Sequence, residues 1–233
     1  MGERNRGGSQ GHSHADLQRR LSRRVDAADR GEILEKTRKA LEYTDPVRRL
    51  TALVAALAHE RVIVPALIEG AEECTPQSRH AIVGGEEATL AFTSVAALHR
   101  WDPRARPVPV PARRHAMLAL AETEGRIVVD LADDGGVRLP RPAVVALSVA
   151  DQWVAPWEDR ELREELSRAV DPKTVAYVSL SASPEPTQVV TIGVRSRAER
   201  PAIDAAVAAI ATHPRLLAAC ERVEIRPVLA QLA

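Results

Sequence analysis

The stretch LAFTSVAALHRW, residues 90–101, decides how this chain folds. LAF is apolar and β-like, TS is a pair of hydroxyls, and VAALHRW sets apolar side chains at helical spacing. A strand is therefore expected to feed a short helix across Thr93 and Ser94. Asp102-Pro103 closes the helix, because the residue before a proline is pushed out of the helical region. A hydroxyl at such a junction serves as a nucleophile, an anion cradle or a cap. The first N–H groups of any helix lack intrahelical partners, and a Ser or Thr side chain satisfies one of them. The glycine-rich phosphate loops GxxxxGK[ST] and GxGxxG are absent, as is the GxSxG nucleophile elbow. The spacing predicts a cap at Thr93-Ser94, with anion or ligand contact as the rival use. Phe92 and Trp101 are expected to fasten the helix to its surroundings.

The flanking sequence is equally readable. Asp45-Pro46 is a cap followed by proline at the first helical position, and Leu50, Leu53, Val54 and Leu57 supply the buried face. Residues 62–68 read as a strand. Residues 81–83 and 88–92 flank Gly84-Gly85 as a hairpin. The segment RPVPVPARR, residues 106–114, is expected to run extended along the surface, since its prolines cannot donate a continuous ladder. A helix from Pro111 to about residue 122, a strand over 126–131, a DDGG turn, a returning strand over 137–139 and a helix ending near Val149 complete this part. Beyond it, residues 158–170 are helical with Leu162, Leu166 and Val170 at spacing four. Residues 174–180 and 188–194 are β-rich. A helix carrying Ile203, Val207 and Ile210, a break at His213-Pro214, a short helix and a strand over 223–228 follow.

The expected fold is α+β: two small two-layer α/β sandwich domains with mixed sheets, preceded by a charged helical N-terminal extension. Residues 1–14 have nothing to bury and form a disordered tail, and residues 15–44 form the extension, a thin apolar stripe on charged faces. The first domain takes residues 45–149. Residues 150–157, ADQWVAPW, connect it to a second domain over residues 158–230, with Trp153 and Trp157 pressed into the interface.

Composition narrows the function classes. The chain has 32 basic and 32 acidic side chains, so no global field favours nucleic acid or an anionic membrane. Lysine occurs only at 36, 39 and 173, an arginine bias that reads as genomic base composition before phosphate recognition. Aromatic residues make up 3%, too few for a base-stacking surface. Nucleic-acid contact is conceivable only through Arg19, Arg20, Arg23 and Arg24, where the acidic residues that follow point to a salt-bridged exposed helix. Cys74 and Cys220 lie in no metal or redox spacing, none of the seven histidines sits in HExxH, and no run approaches a membrane span. The opening MGERNRGGSQGHSH has no apolar signal core, so a cytoplasmic location is expected. The pairs Glu72-Glu73, Glu86-Glu87, Asp133-Asp134 and Glu164-Glu165 read as solvated surface charge.

RVIVPALIE (residues 61–69), LAFTSVAALHRWDPRARPVPVPARRHAML (90–118) and RIVVDLADDGGVRLPRPAV (126–144) resemble the N-terminal domain of the SseB family, the enhanced serine sensitivity proteins. Residues 174–228 resemble that family's C-terminal domain, so the likeness spans residues 46–229. A type III secretion translocon subunit shares the name, but the membrane-spanning and coiled-coil stretches such a subunit needs are absent from this sequence. The resemblance implies a cytoplasmic two-domain α/β protein without established catalytic residues, linked to a serine-sensitivity phenotype. The function expected is that of a non-enzymatic binding or accessory protein with a protein partner, no cofactor and no metal. Candidate contact residues are Phe92, Thr93, Ser94, Trp101, Trp153 and Trp157. A small-molecule sensor or enzyme of amino-acid metabolism and a ribosome- or RNA-associated factor are the alternatives.

Overall fold

A computed structural model describes residues 29–66, 80–133 and 135–230. Arg19, Arg20, Arg23, Arg24, Cys74, the Glu72-Glu73 pair and Asp134 lie outside those residues. The fold is α+β, with eight helices and nine strands among the described residues. The described residues from Gly31 onward belong to one packed unit.

Helix α1, Glu35–Leu41, buries Thr37 and Ala40. Its first turn has no local cap. Glu60, 23 residues away from Thr37, accepts from the Lys36 N–H, the Thr37 N–H and the Thr37 hydroxyl at 3.0, 2.9 and 2.7 Å. The stretch read as an extension is thus docked on the body over this helix. Helix α2, Pro46–Leu57, starts at the expected Asp45 cap and buries Leu50, Leu53, Val54 and Leu57.

Strands β1 (Arg61–Ala66), β2 (His80–Val83) and β3 (Glu86–Ala91) follow, with the β2–β3 turn at Gly84 and Gly85. Both glycines have positive φ, 61° and 83°, the backbone that a two-residue hairpin with the favoured twist requires. Helix α3 is Val95–Trp101, β4 is Arg106–Pro111 and α4 is Ala112–Glu122. Strands β5 (Ile127–Val129) and β6 (Val137–Leu139) precede helix α5, Arg141–Val149. The sheet order is β2-β3-β5-β6, with β3 and β5 parallel and the other neighbours antiparallel, while β1 and β4 form an antiparallel pair. Strand β5 stops at Val129, two residues earlier than its apolar pattern suggests, because Asp130 turns the chain with φ 54°.

The segment RPVPVP is extended, as its prolines demand, but it is also fully paired with β1. Parity explains the difference. Ile63 exchanges both backbone hydrogen bonds with Phe92, at 2.7 and 2.8 Å, so the backbone groups of Val62 and Val64 point the other way, toward β4. Their register partners are Val110 and Val108, which keep their N–H groups. Pro107, Pro109 and Pro111 fall at the alternate positions, where an N–H would face the free edge. Alternating prolines therefore permit a ladder and strip the open edge of donors.

The C-terminal part holds α6 (Arg160–Arg168), β7 (Val175–Leu180), β8 (Thr187–Val194), α7 (Arg200–Ala211), α8 (Pro214–Ala219) and β9 (Arg222–Leu229). Its sheet is mixed, β7-β8-β9, with β8 parallel to β9. Val190, Ile192 and Val194 alternate along β8 toward Leu162, Leu166, Ile210 and Leu216 from the helices. Each fully buried leucine contributes roughly 2 kcal/mol relative to exposure. On the other sheet face the Tyr177 ring lies over Gly193, where a Cβ would stand 2.2 Å from the ring.

Candidate functional site

The junction at Thr93 and Ser94 is built from four separate parts of the chain. Ser94 is extended, and its hydroxyl accepts from the Ala97 N–H at 3.1 Å, which is the expected cap of α3. The Val95 N–H donates to the Gly31 carbonyl at 2.8 Å. The Thr93 N–H and hydroxyl both donate to one carboxylate, that of Asp130, at 2.8 and 2.7 Å. Arg61 closes the ring, donating to the Thr93 carbonyl at 3.0 Å and to the Glu32 carbonyl. Backbone groups that would otherwise attract an anion are thus occupied by the protein itself.

A threonine hydroxyl on a carboxylate has the outline of a nucleophile with its base. Burial decides against that use. Thr93 is 4% exposed and Asp130 7%, so neither is open to a substrate. Burial drives the Asp130 carboxyl above the usual aspartate range, opposed by the two Thr93 hydrogen bonds. Phe92 is completely buried and its ring centroid lies 5.5 Å from that of Trp101, so the two rings hold α3 against β3 as expected. Outside this ring, Arg100 on α3 grips Asp133 through two hydrogen bonds of 2.9 and 2.6 Å.

Trp153 and Trp157 are elsewhere. They meet edge to face with centroids 6.2 Å apart and pack on the core formed by α2, α4, α5 and the adjoining strands. With Glu185, Gln188, Cys220 and Glu221 they line a shallow, open cleft. The indole Nε1 of Trp153 is buried and has no hydrogen-bond partner among the described residues. Cys220 is 9% exposed and burial pushes its thiol up to about 12, which keeps it protonated and poorly nucleophilic at neutral pH.

Beside the cleft an ion-pair network joins the two halves of the unit. Arg138 on β6 donates to Glu86 at 3.0 Å and to Glu221 at 2.6 Å, and Arg222 on β9 donates to Glu86 at 2.7 Å. The Arg138 hydrogen bond, helped by Arg222, holds the Glu86 carboxyl below its ordinary value. Glu86 and Glu87 are therefore more than the solvated pair the sequence suggests, since Glu87 also lies 3.0 Å from His80. Their partners are set by the sheet and by the far end of the chain, which adjacent residues do not reveal. Asp130, Arg61 and Gly31 were equally invisible as members of the Thr93-Ser94 ring.

No group of three or more His, Cys, Asp or Glu converges on a metal-binding geometry among the described residues. Among the same residues, no helix is long and apolar enough to cross a membrane.

The chain matches no curated protein and no solved structure. Residues 37–146 match the SseB protein N-terminal domain. The match begins inside α1, which the sequence reading left outside the domain, and the burial of Thr37 and Ala40 against the body accounts for its inclusion. It takes in β1 to β6, the Thr93, Ser94, Asp130 and Arg61 members of the ring but not Gly31 or Glu32, and nearly all of α5. Residues 37–146 are thus an N-terminal domain of the SseB family type.

Proposed function

We propose that this chain is a non-enzymatic, cytoplasmic binding protein that acts as an accessory factor to a protein partner. The observation that carries the reading is the consumption of its reactive-looking groups by architecture. Thr93 is spent on Asp130, Ser94 on the Ala97 N–H, and Cys220 is a buried, protonated thiol. Residues 158–230 serve in this reading as the family's C-terminal domain, held to the first by the Arg138–Glu86–Glu221–Arg222 network. The type III translocon of the same name is a poor fit to a set of described helices none of which can cross a membrane. The test pairs a pull-down from native lysate with a turnover screen of the purified protein against metabolites. A reproducible partner without turnover supports the reading. Turnover of a metabolite without any reproducible partner overturns it.

A second reading, a sensor of amino-acid metabolites tied to serine sensitivity, has one observation in its favour: the cleft at Trp153 and Trp157 with its unpartnered indole N–H. A ligand that binds only the folded state raises the melting temperature. A rise with serine or a related metabolite, abolished by Trp153→Phe, supports it, and a flat response across the panel rejects it.

A further inference from the structure

We infer that the outer face of the α4–α5 helix pair is the docking surface for an acidic amphipathic helix of a partner protein, an inference that rests on the binding-protein reading above. The two helices run antiparallel. At one end the Arg113 Nε donates to the Ser148 carbonyl at 3.1 Å. At the other, Leu120 and Arg141 crowd the same glycine, since a Cβ on Gly125 would stand 2.9 Å from Leu120 Cδ2 and 3.2 Å from Arg141 Cγ. Met117 falls between Arg113 and Leu120 along α4.

The inward rows are Ala112, His115, Ala116 and Ala119 on α4 and Ala143, Val144, Leu147 and Ser148 on α5, all buried. The outward row is apolar as well. Met117 is 56% exposed, Val145 38% and Val149 62%, the two valines one turn apart. A helix reading RPAVVALSV is apolar on both sides, a pattern that belongs to helices covered on both sides. Ala121 and Ala146 keep the surface low between the larger side chains, which lets a second helix approach closely. Methionine suits such a surface because its flexible thioether adapts to the partner.

Charge selects the occupant. Arg113 and Arg141 mark the two ends of the face, and the hydrogen bonds of their Nε groups go to the backbone carbonyls of Ser148 and Glu124. Neither guanidinium forms a salt bridge with a carboxylate among the described residues; the Glu221 carboxylate accepts from the Arg141 backbone N–H at 3.1 Å, but its ion pair is with Arg138. Between Ala112 and Ala121 on α4, and throughout α5, no acidic residue occurs. Glu122 and Glu124 at the far margin are turned to His80 and Arg126, and Asp151 accepts from the neighbouring Gln152 N–H. A partner helix with a hydrophobic stripe about three turns long and glutamates or aspartates at its ends complements this arrangement.

The experiment uses the full chain and a fluorescently labelled synthetic peptide of about 14 residues, leucines at i, i+3, i+4 and i+7 and glutamates at both ends. A peptide of identical composition with the leucines scrambled is the comparison, and binding is followed by anisotropy. The expected result is that scrambling, the double variant Met117→Glu/Val149→Glu and the charge reversal Arg113→Glu each weaken binding by about tenfold or more. The remote exposed substitution Leu217→Glu should leave it unchanged. Circular dichroism and melting temperature certify that the variants fold, which surface positions permit. Equal binding of both peptides, no binding of either, or indifference to Met117→Glu/Val149→Glu overturns the inference. So does tighter binding of phosphatidylglycerol vesicles with the same sensitivity to the variants, which assigns the face to an anionic membrane. A lysate partner whose capture survives Met117→Glu/Val149→Glu would refute this surface while leaving the binding-protein reading standing.

Discussion

Replacing Asp130 by alanine isolates the contact that holds the strand-to-helix junction together. The carboxylate accepts from the buried Thr93 N–H at 2.8 Å and from its hydroxyl at 2.7 Å, so alanine orphans two donors at once. Each desolvated donor left unpaired costs about 1–3 kcal/mol. Alanine at the φ of 54° adds about 1 kcal/mol of left-handed strain. Release of the carboxylate's own desolvation, the cause of its raised pKa, offsets part of this. The net expectation is a loss of about 3 kcal/mol, or roughly 6–12 °C in melting temperature for a chain of this size. Asparagine adopts the same backbone region and keeps a carbonyl for the Thr93 N–H, while the Thr93 hydroxyl turns to accept from its amide. Asp130→Asn should therefore stay within about 1 kcal/mol of the parent. The sign with pH is also fixed. Between the ordinary aspartate value of 3.8 and the raised native value, the folded chain keeps a proton that the unfolded chain has released. Stability from this group falls as pH rises through that window, and the asparagine variant should gain on the parent across it. Urea unfolding followed by tryptophan fluorescence reads all three. If alanine costs less than about 0.5 kcal/mol, or asparagine costs as much as alanine, the clamp is not what fixes the junction.

Three further outcomes are expected. Glu60→Ala removes the three acceptor bonds at the start of α1 and should speed amide exchange across residues 35–41 by about tenfold while leaving β7 to β9 unchanged, as hydrogen–deuterium exchange will tell. In a Cys74→Ser background, Cys220 should resist a thiol reagent at pH 8 until denaturant is added, because burial holds its pKa at about 12; rapid labelling of the native chain would contradict that environment. Pro109→Thr returns an outward N–H to the β4 edge and should promote concentration-dependent self-association, visible as rising mass in light scattering, where the parent's mass stays constant.

Much of the fold is legible from local pattern. The Asp45-Pro46 start of α2, the Gly84-Gly85 hairpin, the Ser94 cap and the αββααβ order of the C-terminal part each rest on physics acting within a few residues. The misreadings share a cause. RPVPVP looked unable to pair because a proline count ignores which edge each missing N–H faces, and that is settled only when Ile63 bridges to Phe92. Glu86 looked like surface charge because Arg138 and Arg222 are 52 and 136 residues away.

The sequence by itself determined most of the helices and strands, the fold class, the cap and the Phe92 and Trp101 anchors, since backbone propensity, turn chemistry and hydrophobic spacing are properties of neighbouring residues. Only the tertiary structure decided that Thr93 is silenced by Asp130, 37 residues on, that Arg61 and Gly31 complete the ring, and that the outer face of the α4–α5 pair is left bare. A buried hydrogen bond demands a partner without specifying its place in the chain, and that place is supplied by the order in which strands enter the sheet.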